Sequence, residues 1–183
     1  MLTFKFAPFS ALTTARLTLR EPRPDDLDAL FVIRSNPALM SFIPRPIAQT
    51  PADAAAVLTL MRDRQARNEG LNWAITRTGD DTLVGMIGYV YLYADAHRAE
   101  IGYILHADYH GQGLMDEALQ ATVAYGFEAM HLHSIEAIIR PDNAPSRKLV
   151  ERNGFVQEGL FRENVFFNGQ YLDSVVYSRL MAR

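Results

Sequence analysis

The chain has 183 residues, 49% of them apolar and 21% charged, which is ordinary usage for one globular domain. Its net charge of −3 excludes the broadly basic surface typical of proteins that bind nucleic acids, and the lack of cysteine excludes disulfides, thiolate metal sites and a cysteine nucleophile. No apolar run approaches the roughly 20 residues that span a bilayer, so we expect one cytoplasmic domain over residues 1–183 with no membrane or nucleic-acid partner.

The first third of the chain predicts one strand and two helices. Apolar and polar residues alternate over 16–20, which indicates a strand with one buried face. A helix capped by two aspartates follows at about residue 27, and prolines then make 36–49 irregular, with at most one short helix. Thr50-Pro51 begins a second helix that runs to about Asn68. Its expected buried residues are Ala56, Val57, Leu60 and Met61.

The rest of the chain predicts strands over 73–77, 84–93 and 99–105, a long helix over 113–130, a strand over 134–140, a helix over 145–152, and strands over 156–167 and 171–180. Gly79-Asp80-Asp81 and Asn168-Gly169 are the expected hairpin turns. Short links between strands favour antiparallel neighbours. The fold class is therefore mixed α/β, with a mostly antiparallel central sheet, flanking helices and one β-α-β crossover.

A glycine-rich loop joins the strand at 99–105 to the long helix. Its sequence is Gly111-Gln112-Gly113-Leu114-Met115. Two glycines let the backbone approach a ligand, and the first turn of a helix presents unpaired N–H groups that suit a pyrophosphate. The alternative is a loop that only turns the chain. A P-loop is excluded because Gly-Lys-Ser/Thr is absent, and a dinucleotide fingerprint would need glycine where Asp116 stands.

A second motif begins at Asn143, where the strand at 134–140 has ended. Asn143 precedes Ser146 by three residues on the next helix, so it is also a candidate helix cap. A functional role is favoured over a cap alone, because this motif and the glycine-rich loop are paired across one β-α-β unit.

Taken together, these motifs resemble the GNAT superfamily of acetyl-CoA-dependent N-acetyltransferases, and within it the RimJ/RimL-like branch. The resemblance covers nearly the whole chain. It rests on the order and spacing of Thr14-Ala15-Arg16-Leu17, Ala99-Glu100-Ile101-Gly102-Tyr103, Gly111-Gln112-Gly113 with Glu117-Ala118-Leu119, Asn143 to Ser146, Asn153-Gly154-Phe155, and Asn168-Gly169 with Asp173 and Tyr177.

The resemblance implies a GNAT-like fold and acetyl-CoA as the co-substrate, with no metal. The strand at 99–105 is expected to splay from its neighbour and to offer backbone groups to the pantetheine arm. Asp108 stands where relatives often carry Gln or Arg, so we expect it to point away and His110 to supply a polar contact. The implied cofactor-binding residues are Tyr103, Ile104, Leu105, His110, Gly111, Gln112, Gly113, Leu114, Met115, Asn143 and Ser146.

When the amide forms, departure of the coenzyme A thiolate is helped by a group that donates a proton to it. Many relatives place a tyrosine seven residues after the asparagine, but this chain has Val150 there. Ser146 is therefore the candidate proton donor, in keeping with the resemblance to RimL. The alternative is that Ser146 is only an early residue of its helix.

Glu100 is the leading candidate for the general base, because it opens the strand expected to hold the acetyl group. Strand alternation puts it on the same face as Gly102 and Ile104. Its alternative role is an ion pair with Arg98 or Arg140. Glu158 and Glu163 are weaker candidates on the last hairpin, and Val165 stands where some RimL-like proteins carry a glutamate.

The function expected from this sequence is acetyl transfer from acetyl-CoA to a primary amine by direct attack in a ternary complex. The acceptor is either the amino terminus of a protein or a small-molecule amine, and the chain is either a monomer or a homodimer. The main alternative is a non-catalytic acyl-CoA-binding or regulatory module on the same fold. A nucleotide-binding oxidoreductase is disfavoured by the missing third glycine.

Overall fold

The structure, a computed structural model, describes residues 2–182, and all statements about its elements concern that range. Its helices are α1 Leu27–Ser35, α2 Pro37–Met40, α3 Pro51–Ala66, α4 Leu114–Glu128 and α5 Ala144–Arg152. Its strands are β1 Leu12–Thr13, β2 Leu17–Arg20, β3 Leu71–Arg77, β4 Asp80–Tyr93, β5 Arg98–Leu105, β6 Ser134–Ile139, β7 Val156–Phe167 and β8 Gln170–Leu180.

The eight strands form one sheet in the order β1-β2-β3-β4-β5-β6-β8-β7. Each neighbouring pair from β1 to β5 is antiparallel, β5 and β6 are parallel, and β6, β8 and β7 are again antiparallel. A parallel neighbour requires a crossover connection, and α4 provides it between β5 and β6. The expected mixed α/β class with a mostly antiparallel sheet is therefore confirmed.

Helices cover the sheet on both faces. Leu119 and Val123 of α4 belong to the core on one face, and Leu30 of α1 packs with Leu58 of α3 in the core on the other. Cover on both faces accounts for the unbroken runs of buried residues over 71–76 in β3 and 83–89 in β4. No helix within residues 2–182 has the length and apolar character needed to cross a bilayer.

Several local predictions are corrected by the structure. The hairpin between β3 and β4 turns at Thr78 and Gly79, where Gly79 has a φ of 83°, and Asp80 and Asp81 already belong to β4. Strand β1 has only two residues, too few to give an alternating pattern. Helix α2 is the one short helix that the proline-rich segment was expected to allow.

The buried side of α3 differs from the expected one. Ala54 and Leu58 are buried, whereas Leu60 is 56% exposed and Ala56 is also exposed. Both stripes share Met61 and have helical spacing, so the sequence alone allows either. Contact with α1 selects the observed stripe, because Ala54 and Leu58 pack with Leu30 of α1 in one core cluster.

Candidate active site

Strands β5 and β6 pair for only three residues and then separate. Arg98, Ala99 and Glu100 of β5 face Ser134, Ile135 and Glu136 of β6, respectively. Strand β5 continues to Leu105 and β6 to Ile139 without further pairing. The expected splay is therefore present, with Glu100 and Glu136 at its closed end. We call the space between the diverging strands the β5–β6 opening.

The glycine-rich loop has a backbone conformation that favours glycine and leaves space beside it. Gly111 and Gly113 have φ values of 72° and 74°, in the left-handed region that favours glycine. A side chain added at Gly111 would meet nothing within 4 Å, so this backbone faces open space. Leu114 and Met115 are buried, which leaves their backbone N–H groups as what they offer to a ligand.

Residues beside the loop hold its shape. The Asp108 side chain is 82% exposed, as expected for one that points away, and the Gln112 amide donates to the Asp108 carbonyl at 2.9 Å. The Nε2 atom of His110 lies 2.9 Å from the Leu105 carbonyl oxygen. That nitrogen is thus occupied within the loop, whereas the Leu105 carbonyl oxygen keeps a second lone pair.

The segment between β1 and β2, near the amino terminus of the chain, also holds the glycine-rich loop in place. The Glu117 carboxylate accepts hydrogen bonds from the Thr14 hydroxyl, from the Arg16 backbone N–H at 2.8 Å and from the Arg16 Nε at 2.6 Å. The Arg16 Nη1 in turn donates to the Gln112 carbonyl at 2.9 Å. Burial opposes ionisation of Glu117, but the bonds from Thr14 and Arg16 outweigh it and lower the pKa of this carboxyl.

Helix α5 brings its first turn to the β5–β6 opening. The Asn143 Oδ1 accepts from the Ser146 backbone N–H at 3.2 Å, so Asn143 is the cap of the helix. The Ser146 hydroxyl lies 2.7 Å from the Tyr103 hydroxyl of β5. Burial raises the pKa of Tyr103 to about 12, and the contact with Ser146 opposes this rise only in part. Val150 is fully buried in the core.

Glu100 is half-buried and forms neither of the ion pairs considered for it. Arg98 instead pairs with Glu136 at 2.8 Å, and Arg140 is bonded to a neighbouring aspartate at 2.7 Å. Burial, followed by the negative charge of Glu136, raises the pKa of Glu100 to about 7, against the opposing charges of Arg45 and Arg98. Such a carboxyl exchanges protons near neutral pH.

The two weaker carboxylate candidates lie elsewhere. Glu158 is hydrogen-bonded to Ser178, and the Glu163 backbone N–H donates to Asp173 at 2.7 Å. These contacts are within the β7–β8 hairpin, which β6 separates from β5 in the sheet order. The structure therefore brings together Glu100, Tyr103 and the opening, and leaves these two apart from them. No group of potential metal ligands occurs within residues 2–182.

Sequence reasoning missed three parts of this site. Tyr103 was expected to contribute its backbone groups, so the contact of its side chain with Ser146 was missed. Glu136, which pairs with Glu100, was not singled out. Arg16 and Glu117 appeared only as parts of the resemblance, although they brace the loop. Each depends on a contact between distant parts of the chain, for which local sequence patterns carry no signal.

Known proteins share both the sequence and the fold. The Acetyltransferase (GNAT) domain family matches residues 16–156. The uncharacterized N-acetyltransferase YoaA of Bacillus subtilis is 31% identical over 175 residues, which is 96% of this chain and 99% of YoaA. The ribosomal-protein-serine acetyltransferase of Escherichia coli is 33% identical over 102 residues, 56% of this chain and 57% of that protein.

Solved structures of acetyltransferases have a similar fold. A GNAT-family acetyltransferase from Bacillus anthracis has a TM-score of 0.84 at 29% identity and covers 93% of this chain and 98% of its own. The ribosomal L7/L12 alpha-N-protein acetyltransferase RimL, solved with coenzyme A, has a TM-score of 0.85 at 22% identity, with 94% of this chain and 98% of its own covered. The RimL likeness concerns the fold.

Proposed function

Because the chain belongs to the GNAT acetyltransferase family and, as expected, is similar to its RimJ/RimL-like branch, we propose a specific reaction for it. The protein transfers acetyl from acetyl-CoA to a primary amine by direct attack in a ternary complex. That the protein is an N-acetyltransferase follows from its family and relatives. The co-substrate, the acceptor and the roles of individual residues are the content of the proposal.

The residues present fit acetyl-CoA, which supplies an activated acetyl thioester when bound. Gly111 leaves the backbone open just before the amino terminus of α4, and the space at Gly113 is bounded by the Arg16 guanidinium. A pyrophosphate there would be stabilised by free N–H groups and by the helix dipole. The unpaired edge of β5 over Tyr103 and Ile104 offers backbone groups to the pantetheine arm. Gln112 belongs to the same loop and Met115 to the first turn of α4, and Asn143 and Ser146, at the start of α5, would flank the arm.

Glu100 is the proposed base. An amine must lose a proton to form an amide, and most amines are protonated near neutral pH. A carboxylate whose pKa is about 7 accepts that proton far better than an ordinary carboxylate, since its basicity is closer to that of the amine. Strand alternation places Glu100 and Tyr103 on opposite faces of β5, so proton acceptor and proton donor lie on opposite sides of the opening.

Ser146 is the proposed donor of a proton to the departing thiolate, with Tyr103 as its positioning residue. Either of the two hydroxyls can donate, and we propose that Tyr103 does so, because a phenol is a stronger acid than an aliphatic alcohol. The Ser146 hydroxyl hydrogen is then free to point into the opening. Ser146 of α5 thus takes the role that the resemblance gives to a tyrosine at the position of Val150, with Tyr103 of β5 orienting it.

The acceptor is a primary amine, either a protein amino terminus or a small molecule. Two relatives are named ribosomal-protein-serine acetyltransferase and ribosomal protein uS5 alanine N-acetyltransferase, which supports a peptide amino terminus. The mildly acidic composition fits a protein that binds no nucleic acid, and the lack of cysteine suits a reducing cytoplasm. The protein is either a monomer or a homodimer. No metal is required for this chemistry.

The observation that carries the proposal is the β5–β6 opening, with Glu100 at its closed end and the Ser146–Tyr103 pair beside it. Initial-velocity kinetics with acetyl-CoA and an amine test it. Direct attack predicts intersecting double-reciprocal lines, whereas parallel lines would indicate an acetylated enzyme and overturn the ternary complex. Acetyl-CoA is expected to raise the melting temperature much more than NADH or ATP does. At 100 times its Kd, it should add about 2.7 kcal/mol to the free energy of unfolding.

A further inference from the structure

Several arginines lie near the face of the sheet that carries Glu100. Arg98 and Arg140 each hold a carboxylate, at 2.8 Å and 2.7 Å. Arg34 and Arg45 form no ion pair with any carboxylate in residues 2–182. These two guanidinium groups are therefore not held in ion pairs, unlike those of the other two.

Arg34 is the less accessible of the pair. Its Nε is buried and has no hydrogen-bond partner within the described part of the chain. Burial, followed by the charge of Arg45, lowers the pKa of Arg34, so the two cations are near enough to repel each other. The Arg34 carbonyl accepts from the Ala48 N–H at 3.0 Å, which ties the loop carrying Arg45 to α1. A buried donor of this kind is stabilised by an anion.

Arg45 connects this pair with Glu100. Its Nη2 donates to the Tyr91 hydroxyl at 3.2 Å. Tyr91 and Glu100 are paired residues on β4 and β5, so their side chains lie on the same face of the sheet. The Arg45 guanidinium therefore lies on the face of the sheet that carries Glu100, so a ligand with its amine at Glu100 meets a cationic surface on that face.

We propose that Arg34 and Arg45 form an anion subsite of the acceptor pocket, so that the acceptor is a primary amine that also carries a carboxylate or phosphate group. A guanidinium group can donate two parallel hydrogen bonds to two oxygens of one carboxylate or phosphate group, so two guanidinium groups suit such an anion. The amine end of this inference rests on the proposed function, whereas the anion end rests on the two arginines alone.

Binding of a simple anion tests the subsite without any turnover. The Nε–H signals of 15N-labelled arginines are followed by NMR while inorganic phosphate, or in a second series acetate, is added. Coenzyme A is kept saturating so that the glycine-rich loop is occupied. We expect a saturable shift of the Arg34 signal, with affinity at least about tenfold weaker in Arg45→Gln. Arg67→Gln, which removes an exposed arginine already paired with Glu69 at 3.0 Å, should leave the affinity unchanged.

Turnover tests whether the subsite selects acceptors. Two pairs of tripeptides have free amino termini and differ only at the second residue, Asp against Asn and phosphoserine against Ser; ethanolamine and its phosphate ester form a third pair. We expect kcat/KM to favour the anionic member by about tenfold or more, and the ratio to fall towards one in Arg45→Gln. Using ratios cancels any effect of Arg45 on Glu100, because both members of a pair meet the same base.

The outcomes separate the two proposals. No saturable shift at Arg34, or the same shift with chloride at equal ionic strength, would overturn the subsite, and so would a preference that survives Arg45→Gln in a folded protein. Anion binding without acetylation of any amine would instead count against the proposed function and leave the subsite standing. The peptide and ethanolamine pairs show whether the anion belongs to a peptide or to a small molecule, and the Asp and phosphoserine pairs whether it is a carboxylate or a phosphate.

Discussion

Replacing Glu136 with Gln should move the acidic limb of the pH–rate profile to lower pH. Burial and the charge of Glu136 together raise the pKa of Glu100 from 4.5 to about 7. The substitution removes the like charge and also releases Arg98 from its 2.8 Å ion pair, leaving a cation near Glu100. Both changes favour the ionised form of Glu100, so both lower its pKa.

Coulomb's law gives the size of this effect. Paired side chains on neighbouring strands place two charges roughly 6 Å apart, and an effective dielectric constant between about 20 and 80 then gives an interaction of about 0.7 to 2.8 kcal/mol. That corresponds to a pKa change of about 0.5 to 2. Because Glu100 is only half-buried, we expect a change of about one pH unit, towards pH 6.

The measurement is kcat/KM between about pH 5 and pH 9 with one amine. A base must be ionised to act, so activity falls as the pH drops through its pKa. The amine titrates identically in both experiments, and the difference between the profiles therefore reports Glu100. Glu128→Gln, at the exposed end of α4, is the matched control. An unchanged acidic limb in Glu136→Gln, or a limb moved to higher pH, would refute the assignment of Glu100 as the base.

The remaining predictions concern the donor, the loop and the core. Ser146→Ala should lower kcat by about 10²-fold with little change in the KM of the amine, and adding Tyr103→Phe should cause little further loss, because the tyrosine acts through the serine; additive losses with both variants folded would count against this relation. Gly113→Val should weaken acetyl-CoA binding severely in calorimetry while the fold is kept, since its φ of 74° and its place at the pyrophosphate site both favour glycine; unchanged affinity would show that the loop is only a turn. Gly126→Ala should lower the free energy of unfolding by up to about 2 kcal/mol in chemical denaturation, because the new Cβ collides with the buried Tyr89 hydroxyl at an overpacking cost of about 1 to 3 kcal/mol, from which a gain of about 1 kcal/mol in helix propensity is subtracted; a stabilised variant would disprove the clash.

Features that depend on neighbouring residues were predictable from the sequence. Gly111 and Gly113 before an apolar helix predict a tight loop at its amino terminus, and Asn168-Gly169 predicts the last hairpin. The order of strands and helices follows from local periodicity in the same way. Helix α3 is the exception, because its alanine-rich sequence allows two apolar stripes and only contact with α1 decides between them.

Features that join distant residues were not predictable from local patterns. Tyr103 and Ser146 are 43 residues apart in sequence, and Arg16 and Glu117 are 101 apart. The pairing of Glu100 with Glu136 depends on where two parallel strands stop pairing, which is set by the crossover helix and the packing around it. The raised pKa of Glu100, which is central to its proposed role, follows from that register.

Formation of an N-acetylated amine is the most direct test of the account. The protein is incubated with acetyl-CoA and a panel of primary amines, and amide products are identified by mass spectrometry while free coenzyme A thiol is counted. The account predicts catalytic amide formation with one thiol released per amide. Tight acetyl-CoA binding with no amide from any amine would contradict it and identify a non-catalytic acyl-CoA-binding module.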